Sequence, residues 1–251
     1  MIDIHSHILP AVDDGSKKVS ESLLMLKAAI GEGIHTIVAT PHYNQKYALE
    51  KSHILAEVEK LKQIIKANQL KINVLPGQEI RLYDKLLEDY QAGKLLTIAN
   101  QPSYMLIELP FRYVPPHTEK LLDEIGGYGI KPIIAHPERN LVFLEQPDKL
   151  AHLVKKGALA QLTTSSLTGY FGKPIQKFSK FLVENKLVHV VATDAHNTSD
   201  RSFKMNEAYE EITKISGVDG VSYFKENARF IIEGKQIDVD EPQLIDTKRF
   251  F

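Results

Sequence analysis

Short apolar runs rich in β-branched residues alternate with longer segments of helical periodicity along most of this 251-residue chain. The apolar runs predict seven strands, at 1–4, 36–39, 72–75, 105–109, 132–135, 158–162 and 188–192. Strands that are almost uniformly apolar and are separated by helices are typical of a parallel sheet covered on both faces. The alternation therefore predicts an α/β fold.

The segments between those runs space their apolar residues three and four positions apart, as amphipathic helices do. They predict helices at 20–31, 51–68, 118–126, 148–155 and 175–185. Seven strand–helix units within roughly 250 residues fit a single β/α barrel better than an open sheet, although periodicity does not decide whether the barrel closes. We expect one domain over residues 1–235 and a C-terminal tail at 236–251, where the alternation is lost.

Composition argues against several classes of function. The formal net charge of -1 disfavours a broad electrostatic grip on nucleic acid or on an anionic membrane. No apolar run approaches the ~18 residues that span a bilayer, and no signal peptide is evident, so we expect a cytoplasmic protein without membrane insertion. The chain has no cysteine, which removes disulfides, thiolate metal sites and cysteine nucleophiles.

Side chains that bind metal ions lie at or next to the ends of most predicted strands, where β/α barrels build their active sites. His5 and His7 follow the first strand two residues apart, so that in an extended segment both point the same way, and Asp194 and His196 repeat this spacing after the last strand. The candidate ligands are His5, His7, Asp14, His42, Glu79, Glu108, His136, Asp194 and His196. Such a set is too large for one ion and suits two or three.

Each candidate also has a purely structural explanation. Asp14 could serve the Asp-Asp-Gly turn, His42 could be an ordinary loop residue, and Asp194 could cap a helix. Glu108 differs, because a carboxylate inside an apolar strand is costly unless it is paired or metal-bound. A purely structural interpretation requires a separate explanation at each of several strand ends. That all of them hold at once is less plausible than one shared metal site. The histidines without matching partners are predicted to be structural, namely His35, His53, His117, His152 and His189.

The charge balance of such a site favours an anionic substrate. Three divalent ions would bring six positive charges, while the four candidate carboxylates and a bridging hydroxide would return five, leaving about one positive charge in a cleft. Arg139 and Arg201 follow two of the strand ends and could clamp a phosphate bidentately, with surface ion pairing as the alternative for each. The pattern favours metal-assisted hydrolysis of a phosphate ester.

These motifs resemble the polymerase-and-histidinol-phosphatase (PHP) superfamily. More closely, they resemble the bacterial PHP-type protein-tyrosine phosphatases, whose genes accompany those for capsule and exopolysaccharide synthesis. The resemblance is carried by IDIHSHILP at 2–10, DDG at 13–15, GQEIR at 77–81 and IAHPERN at 134–140, together with Pro41-His42, Glu108 and Asp194-Ala195-His196. It extends over residues 1–232, and the tail beyond is less diagnostic.

The resemblance implies a distorted (β/α)7 barrel that binds up to three divalent ions, with Mn²⁺ expected and Fe, Mg or Zn as alternatives. By this resemblance, one ion is held by His5, His7, Glu79 and Asp194, a second by Glu79 as a bridge with Glu108 and His136, and a third by Asp14, His42 and His196. The implied catalytic residues are Arg139, Arg201 and His42, with the two arginines as phosphate clamps.

The resemblance also implies a substrate and a mechanism. The expected partner is the C-terminal phosphotyrosine tail of an autophosphorylating bacterial tyrosine kinase that controls polysaccharide synthesis. Without a cysteine, phosphotyrosine would be attacked directly by a metal-bound hydroxide, with no covalent intermediate.

Other hypotheses stay open. Another PHP phosphoesterase, such as a histidinol-phosphate phosphatase, would share the same ligands, and only loop aromatics favour a phenyl group; these are Tyr43, Phe111, Tyr170 and Phe171. A polymerase-type exonuclease is disfavoured because the chain lacks a basic surface. A metal-stabilised interaction module without turnover is disfavoured because structural sites are normally closed by four ligands.

Overall fold

The structure, a computed structural model, describes residues 1–239. Its strands are β1 (Ile2–Ser6), β2 (Thr36–Ala39), β3 (His42–Tyr43), β4 (Asn73–Pro76), β5 (Glu79–Arg81), β6 (Tyr104–Glu108), β7 (Lys131–Ala135), β8 (Leu159–Thr163) and β9 (Val190–Ala192). Its helices are α1 (Val19–Gly31), α2 (Lys51–Ala67), α3 (Leu86–Gln91), α4 (Thr118–Gly127), α5 (Leu141–Glu145), α6 (Pro147–Lys155), α7 (Thr164–Leu167), α8 (Lys173–Glu184) and α9 (Met205–Ile232). Short 3₁₀ turns lie at Ile98–Asn100 and Pro137–Arg139.

The named strands pair in parallel and form two sheets, one in the order β1-β2-β4 and one in the order β3-β5-β6-β7-β8-β9. The interruptions between β2 and β3 and between β4 and β5 account for the division. Pairing nevertheless continues across them, because Gly77 N–H donates to Ala39 O at 2.9 Å and Glu79 N–H donates to Pro41 O at 3.1 Å. The predicted α/β fold with parallel strands is confirmed.

The two sheets also meet where β9 lies beside β1. Asp194 N–H donates to His5 O, and His7 N–H donates to Ala195 O, both at 2.9 Å. These bonds lie at the C-terminal ends of the strands and join the two ends of the strand order. They place the first and last pairs of candidate metal ligands side by side.

Apolar side chains cover both faces of the strands, as the nearly uniform apolar runs predict. In β6, Leu106 packs into an inner cluster with Ile4 and Ile133 from other strands, whereas Met105 and Ile107 pack into the larger cluster shared with the helices. This alternation follows from the two-residue period of a strand. The smaller cluster therefore fills the space between the strands, together with Ala228 and Ile231 of the last helix, and the larger cluster packs the other helices against the sheets.

The sequence does not predict helix α9, because the Ser-Gly-Val-Asp-Gly segment interrupts its periodicity. The helix is kinked at Gly217, whose φ of 71° lies in the left-handed region that favours glycine. Beyond α9, Ile237 is buried in the inner cluster, although the sequence assigns it to the tail at 236–251. The remaining tail residues, 240–251, lie outside the described residues. Within residues 1–239 no helix is both long and apolar enough to cross a membrane.

A buried carboxylate in β1 provides a test of how β9 is held. Asp3 accepts hydrogen bonds from Thr193 N–H at 3.0 Å and from the Thr193 hydroxyl at 2.5 Å. We expect Asp3→Ala to lower the free energy of unfolding in urea by about 2–3 kcal/mol, because it leaves the buried N–H and hydroxyl donors of Thr193 without an acceptor. Asp3→Asn keeps an acceptor oxygen, so it should lower the free energy of unfolding less than Asp3→Ala does. Equal losses in both variants would contradict this account.

Candidate metal centre

The nine candidate ligands lie together at the C-terminal ends of the strands. Three overlapping groups have ligand atoms within 4.8 Å of one another, namely His7, Asp14, His42 and His196; His5, His7 and Glu79; and His42, Glu79 and Glu108. His136 joins them because its Nε2 lies 2.8 Å from Glu79 Oε1. The structure thus brings residues from six strand ends into one cluster.

His5 and His7 face two carboxylates at a spacing suited to a shared ion. Their Nε2 atoms are 3.2 Å apart, and each lies 3.3–3.5 Å from Glu79 Oε2 and from Asp194 Oδ1. Two atoms that bind one ion through bonds of about 2.0–2.1 Å lie roughly 3–4 Å apart. These four side chains are the set that the resemblance implies for the first ion.

Two side chains that the sequence does not single out orient these histidines. The Gln161 Oε1 atom lies 2.8 Å from His5 Nδ1, and because an amide oxygen only accepts, Nδ1 donates and Nε2 is left facing the cluster. Asp13 Oδ2 lies 2.6 Å from His7 Nδ1 and also accepts from His42 N–H at 3.1 Å. Carboxylate and amide partners of this kind fix the ring orientation of a metal-binding histidine.

The turn after β1 explains why two adjacent aspartates differ in role. Asp13 accepts from Gly15 N–H at 2.9 Å, so it serves the turn. A Cβ added at Gly15 would lie 2.1 Å from His7 O, so only glycine fits there. Asp14 instead points its carboxylate at the imidazoles of His42 and His196, at 3.3 Å and 3.5 Å.

The groups share ligands more than the expected three-ion division suggests. His42 lies between two groups, with Nε2 3.3 Å from Asp14 Oδ1 and Nδ1 2.8 Å from Glu79 Oε2. His7 stacks on His196 with ring centroids 3.8 Å apart, so it also borders the group expected for the third ion. The ligand cluster is therefore continuous and not three separate sites.

Several polar atoms in the cluster are buried and make no hydrogen bond of normal geometry. They are His42 Nδ1, Glu79 Oε2, Glu108 Oε2 and His196 Nε2. His42 Nδ1 and Glu79 Oε2 do lie 2.8 Å apart, and Glu108 Oε2 lies 3.0 Å from Arg81 Nη2, but these contacts are ion pairs without hydrogen-bond alignment. Leaving such atoms unpaired in a protein interior is costly. A divalent cation would satisfy them, and a mixed set of imidazoles and carboxylates is a donor set that Mn, Fe and Zn accept. These residues fit a multi-metal centre.

The carboxylates at the centre differ in their affinity for protons. Burial would raise the pKa of Glu79, but the charges of His42 and His5 hold it well below its usual range. Burial and then the neighbouring Glu79 carboxylate raise the pKa of Glu108 to about 7, against the opposing effect of Arg81. Glu79 is therefore ionised and ready to bind a cation. Glu108 binds a proton more readily, and a cation bound nearby would favour its ionised form.

Two candidate ligands have a strained backbone. His136 has φ 33° and Asp194 has φ 52°, and both lie in the left-handed region that non-glycine residues seldom adopt. Such conformations persist only where the surrounding structure enforces them, and they cluster at functional sites. Sequence patterns carry no signal for this strain.

Both predicted arginines converge on one ligand. Arg139 Nη1 lies 2.7 Å and Arg201 Nη2 lies 3.0 Å from Asp194 Oδ2, at the edge of the cluster. The guanidinium of Arg139 also lies between the rings of Phe111 and Phe171, at 4.6 Å and 4.7 Å from their centroids. The aromatic rings hold this cation at the mouth of the cluster.

A third arginine belongs to the site, although the sequence does not single it out. Arg81 Nη2 lies 3.0 Å from Glu108 Oε2, and its guanidinium is 5.8 Å from the Phe111 ring. The available signal is its position two residues after Glu79 in β5, which directs both side chains to one face. Tyr43, one of the loop aromatics singled out in the sequence, packs against Tyr83 with ring centroids 6.0 Å apart.

The histidines assigned structural roles lie outside the three groups found among residues 1–239. His117 precedes α4 and pairs with Asp84 at 3.2 Å, and His152 pairs with Glu119 at 3.0 Å. His189 is buried at the start of β9, where its Nδ1 accepts from Ala160 N–H at 3.0 Å.

Comparisons with known proteins show to which family this chain belongs. Residues 1–233 match the family model described as capsular polysaccharide synthesis, CpsB/CapC. The chain belongs to the CpsB/CapC family. It is 41% identical to the tyrosine-protein phosphatase YwqE of Bacillus subtilis (strain 168), across 100% of this chain and 99% of that protein. It is 35% identical to the putative tyrosine-protein phosphatase CapC of Staphylococcus aureus, across 96% of this chain and 95% of that protein.

Solved structures support the same placement of this CpsB/CapC protein. A crystal structure from work on YwqE of Bacillus subtilis and CpsB of Streptococcus pneumoniae, described as unique metal-dependent tyrosine phosphatases, matches with a TM-score of 0.95 at 41% identity, covering 98% of this chain and 100% of that one. The histidinol phosphate phosphatase HisK of Lactococcus lactis matches with a TM-score of 0.52 at 14% identity, covering 95% of each chain, and shares the fold. The family indicated by the sequence motifs is confirmed.

The contact between Gln161 and His5 gives a prediction about metal affinity. We expect Gln161→Leu to weaken divalent-metal binding, probed with Mn²⁺, about 10-fold to 100-fold, because His5 loses the acceptor that orients it. Isothermal titration of the metal-free protein measures this directly. Gln101→Leu, at an exposed position, is the matched control. Unchanged affinity in Gln161→Leu would show that the hydrogen bond does not organise the centre.

Proposed function

We propose that this chain is a metal-dependent protein-tyrosine phosphatase that hydrolyses phosphotyrosine without a covalent intermediate. The observation that supports it most is the buried cluster of imidazoles and carboxylates around Glu79, with Arg139 and Arg201 at its edge. The chain has no cysteine, so no phosphocysteine can form. The relatives YwqE and CpsB are described as metal-dependent tyrosine phosphatases.

The proposed centre holds up to three divalent ions, with Mn²⁺ as the first candidate and Fe, Mg or Zn as alternatives. The first ion is assigned to His5, His7, Glu79 and Asp194, the second to Glu79, Glu108 and His136, and the third to Asp14, His42 and His196. When bound, such ions supply a hydroxide nucleophile near neutral pH and neutralise charge on the phosphoryl group. The buried polar atoms of Glu79, Glu108, His42 and His196 that make no hydrogen bond of normal geometry support this assignment.

Two arginines would bind and orient the phosphate. The side chains of Arg139 and Arg201 are 15% and 27% exposed, so both reach solvent while touching Asp194. Guanidinium groups present paired N–H donors that match phosphate oxygens. His42 is the third proposed catalytic residue, because its side chain is 13% exposed while the neighbouring His5 is fully buried. It is therefore placed where a ligand of the centre can also meet the substrate.

The aromatic rings at the mouth favour an aryl phosphate as substrate. Phe111 and Phe171 flank Arg139, so a phosphate held by that arginine brings its ester group against a ring. We propose that the physiological substrate is the C-terminal phosphotyrosine tail of an autophosphorylating bacterial tyrosine kinase, and that the protein acts in the cytoplasm. The family description, capsular polysaccharide synthesis, fits that assignment.

The direct test compares a phosphotyrosyl peptide with the matching phosphoseryl peptide, with Mn²⁺ or with chelator. We expect Mn²⁺-dependent phosphate release from phosphotyrosine. His136→Ala should lower kcat/KM by at least about 100-fold through loss of a proposed ligand, and Arg139→Ala by about 10-fold to 100-fold through loss of phosphate binding.

The matched controls are His152→Ala and Arg229→Ala, at partly exposed helix positions away from the cluster, and both should retain activity. Equal turnover of the two peptides, or preference for a small phosphate ester, would move the chain to another phosphoesterase activity of this fold. An absence of turnover with Mn²⁺, Fe²⁺, Mg²⁺ or Zn²⁺ would refute the proposed function.

A further inference from the structure

Four large apolar side chains remain exposed in the loops near Arg139 and at the start of α5. They are Phe111, Tyr113, Leu141 and Tyr170, which are 37%, 57%, 49% and 46% exposed, and we call them the apolar rim. The other large apolar side chains exposed within residues 1–239 are Val19, Leu24, Tyr128, Val218 and Val239. Single exposed apolar residues are ordinary, but a group at the mouth of a polar site marks a binding surface.

One side of the apolar rim is fastened by hydrogen bonds between two loops. Leu141 N–H donates to Phe111 O at 2.8 Å, and the Asn140 side-chain amide donates to Tyr113 O at 3.3 Å and to Pro110 O at 2.7 Å. The Asn140 side chain also caps α5 by accepting backbone N–H bonds at its first turn. The loop after β6 and the start of α5 thus present Phe111, Tyr113 and Leu141 as one preformed surface.

The other side of the apolar rim continues through the phosphate-binding arginine. Arg139 lies between Phe111 and Phe171, and the Tyr170 ring meets Phe171 edge-on with centroids 5.0 Å apart. Phe111 also lies 5.5 Å from the His136 ring. The apolar surface therefore begins at the proposed catalytic centre and extends outward on both sides of Arg139.

We propose that the apolar rim binds an apolar or aromatic side chain adjacent to the phosphotyrosine of a peptide substrate. This inference rests on the proposed function and names the kind of substrate that the site selects. A phosphotyrosine seated at Arg139 lies beside Phe111. Its neighbours in the peptide, whose Cα atoms are about 3.8 Å away, then lie next to the loop that connects Phe111 to Tyr113 and Leu141.

The chemistry of the surface favours an apolar occupant over a small uncharged polar one. The anion-binding groups Arg81, Arg139 and Arg201 lie inward, against Glu108 and Asp194. The rim presents three rings and an aliphatic side chain, which gain most from burying another apolar group, and the exposed Arg112 lies between Phe111 and Tyr113 in the same loop. Phosphate recognition and apolar recognition are thus arranged side by side, as a phosphopeptide with an apolar neighbour requires.

The test uses two phosphotyrosyl peptides that differ only in having leucine or serine on both sides of the phosphotyrosine. With Mn²⁺-loaded protein, we expect kcat/KM to favour the leucine-flanked peptide by about threefold to tenfold, mainly through KM. Tyr113→Ser and Leu141→Ser, made separately, should each move this ratio toward one. Tyr128→Ser and Leu24→Ser, with 50% and 55% exposure at positions away from the rim, are matched controls and should keep it.

Three results would overturn the inference. Hydrolysis of both peptides with equal kcat/KM would leave the phosphatase function intact and remove the role of the rim. Loss of the ratio in the control variants as well would show that it does not arise at the rim. A change of oligomeric state in Tyr113→Ser and Leu141→Ser by light scattering, with the ratio unchanged, would identify the rim as a self-association surface. Hydrolysis of neither peptide would instead refute the proposed function on which the inference rests.

Discussion

The structure depends on a fully buried carboxylate surrounded by imidazoles. Glu79 Oε2 lies 3.4 Å from His5 Nε2 and 3.3 Å from His7 Nε2. The same oxygen lies 2.8 Å from His42 Nδ1, and Glu79 Oε1 lies 2.8 Å from His136 Nε2. An isolated carboxylate at such a position would be strongly destabilising. Partners must therefore be supplied from strands that are distant in sequence, and the parallel α/β fold brings their C-terminal ends to one place.

The arrangement of strands supplies those partners through specific local devices. The interruption between β4 and β5 sets Glu79 at the start of a new strand, and the bonds between the ends of β1 and β9 set His5 beside Asp194. Outside the cluster, Gln161 and Asp13 orient two of the rings. The site and the contact between β1 and β9 thus use the same residues, so that a change near β1 or β9 affects both.

Much of the fold and of the candidate metal site is predictable from the sequence, because the candidate ligands follow the two-residue period of the strands. The two-residue spacing in His5-Ser6-His7 and Asp194-Ala195-His196 places ligands on one side of an extended chain, and Glu108 stands out as a carboxylate in an apolar strand. Periodicity carries no information on contacts between distant segments, so it does not reveal the roles of Gln161 and Asp13. It also cannot show left-handed backbone at His136, or a helix that resumes after a kink at Gly217.

We propose that Glu79 would hold more than one metal ion, and metal stoichiometry tests this proposal most directly. Metal-free protein is reloaded with Mn²⁺ and its bound metal is counted by mass spectrometry, for the unmodified chain, for Glu79→Gln and for Asp14→Asn. The account predicts more than one ion per chain, loss of at least two ions together in Glu79→Gln, and loss of one in Asp14→Asn, because the proposed assignment gives Glu79 to two ions and Asp14 to one. A single bound ion in the unmodified chain, or an unchanged count in Glu79→Gln, would contradict it.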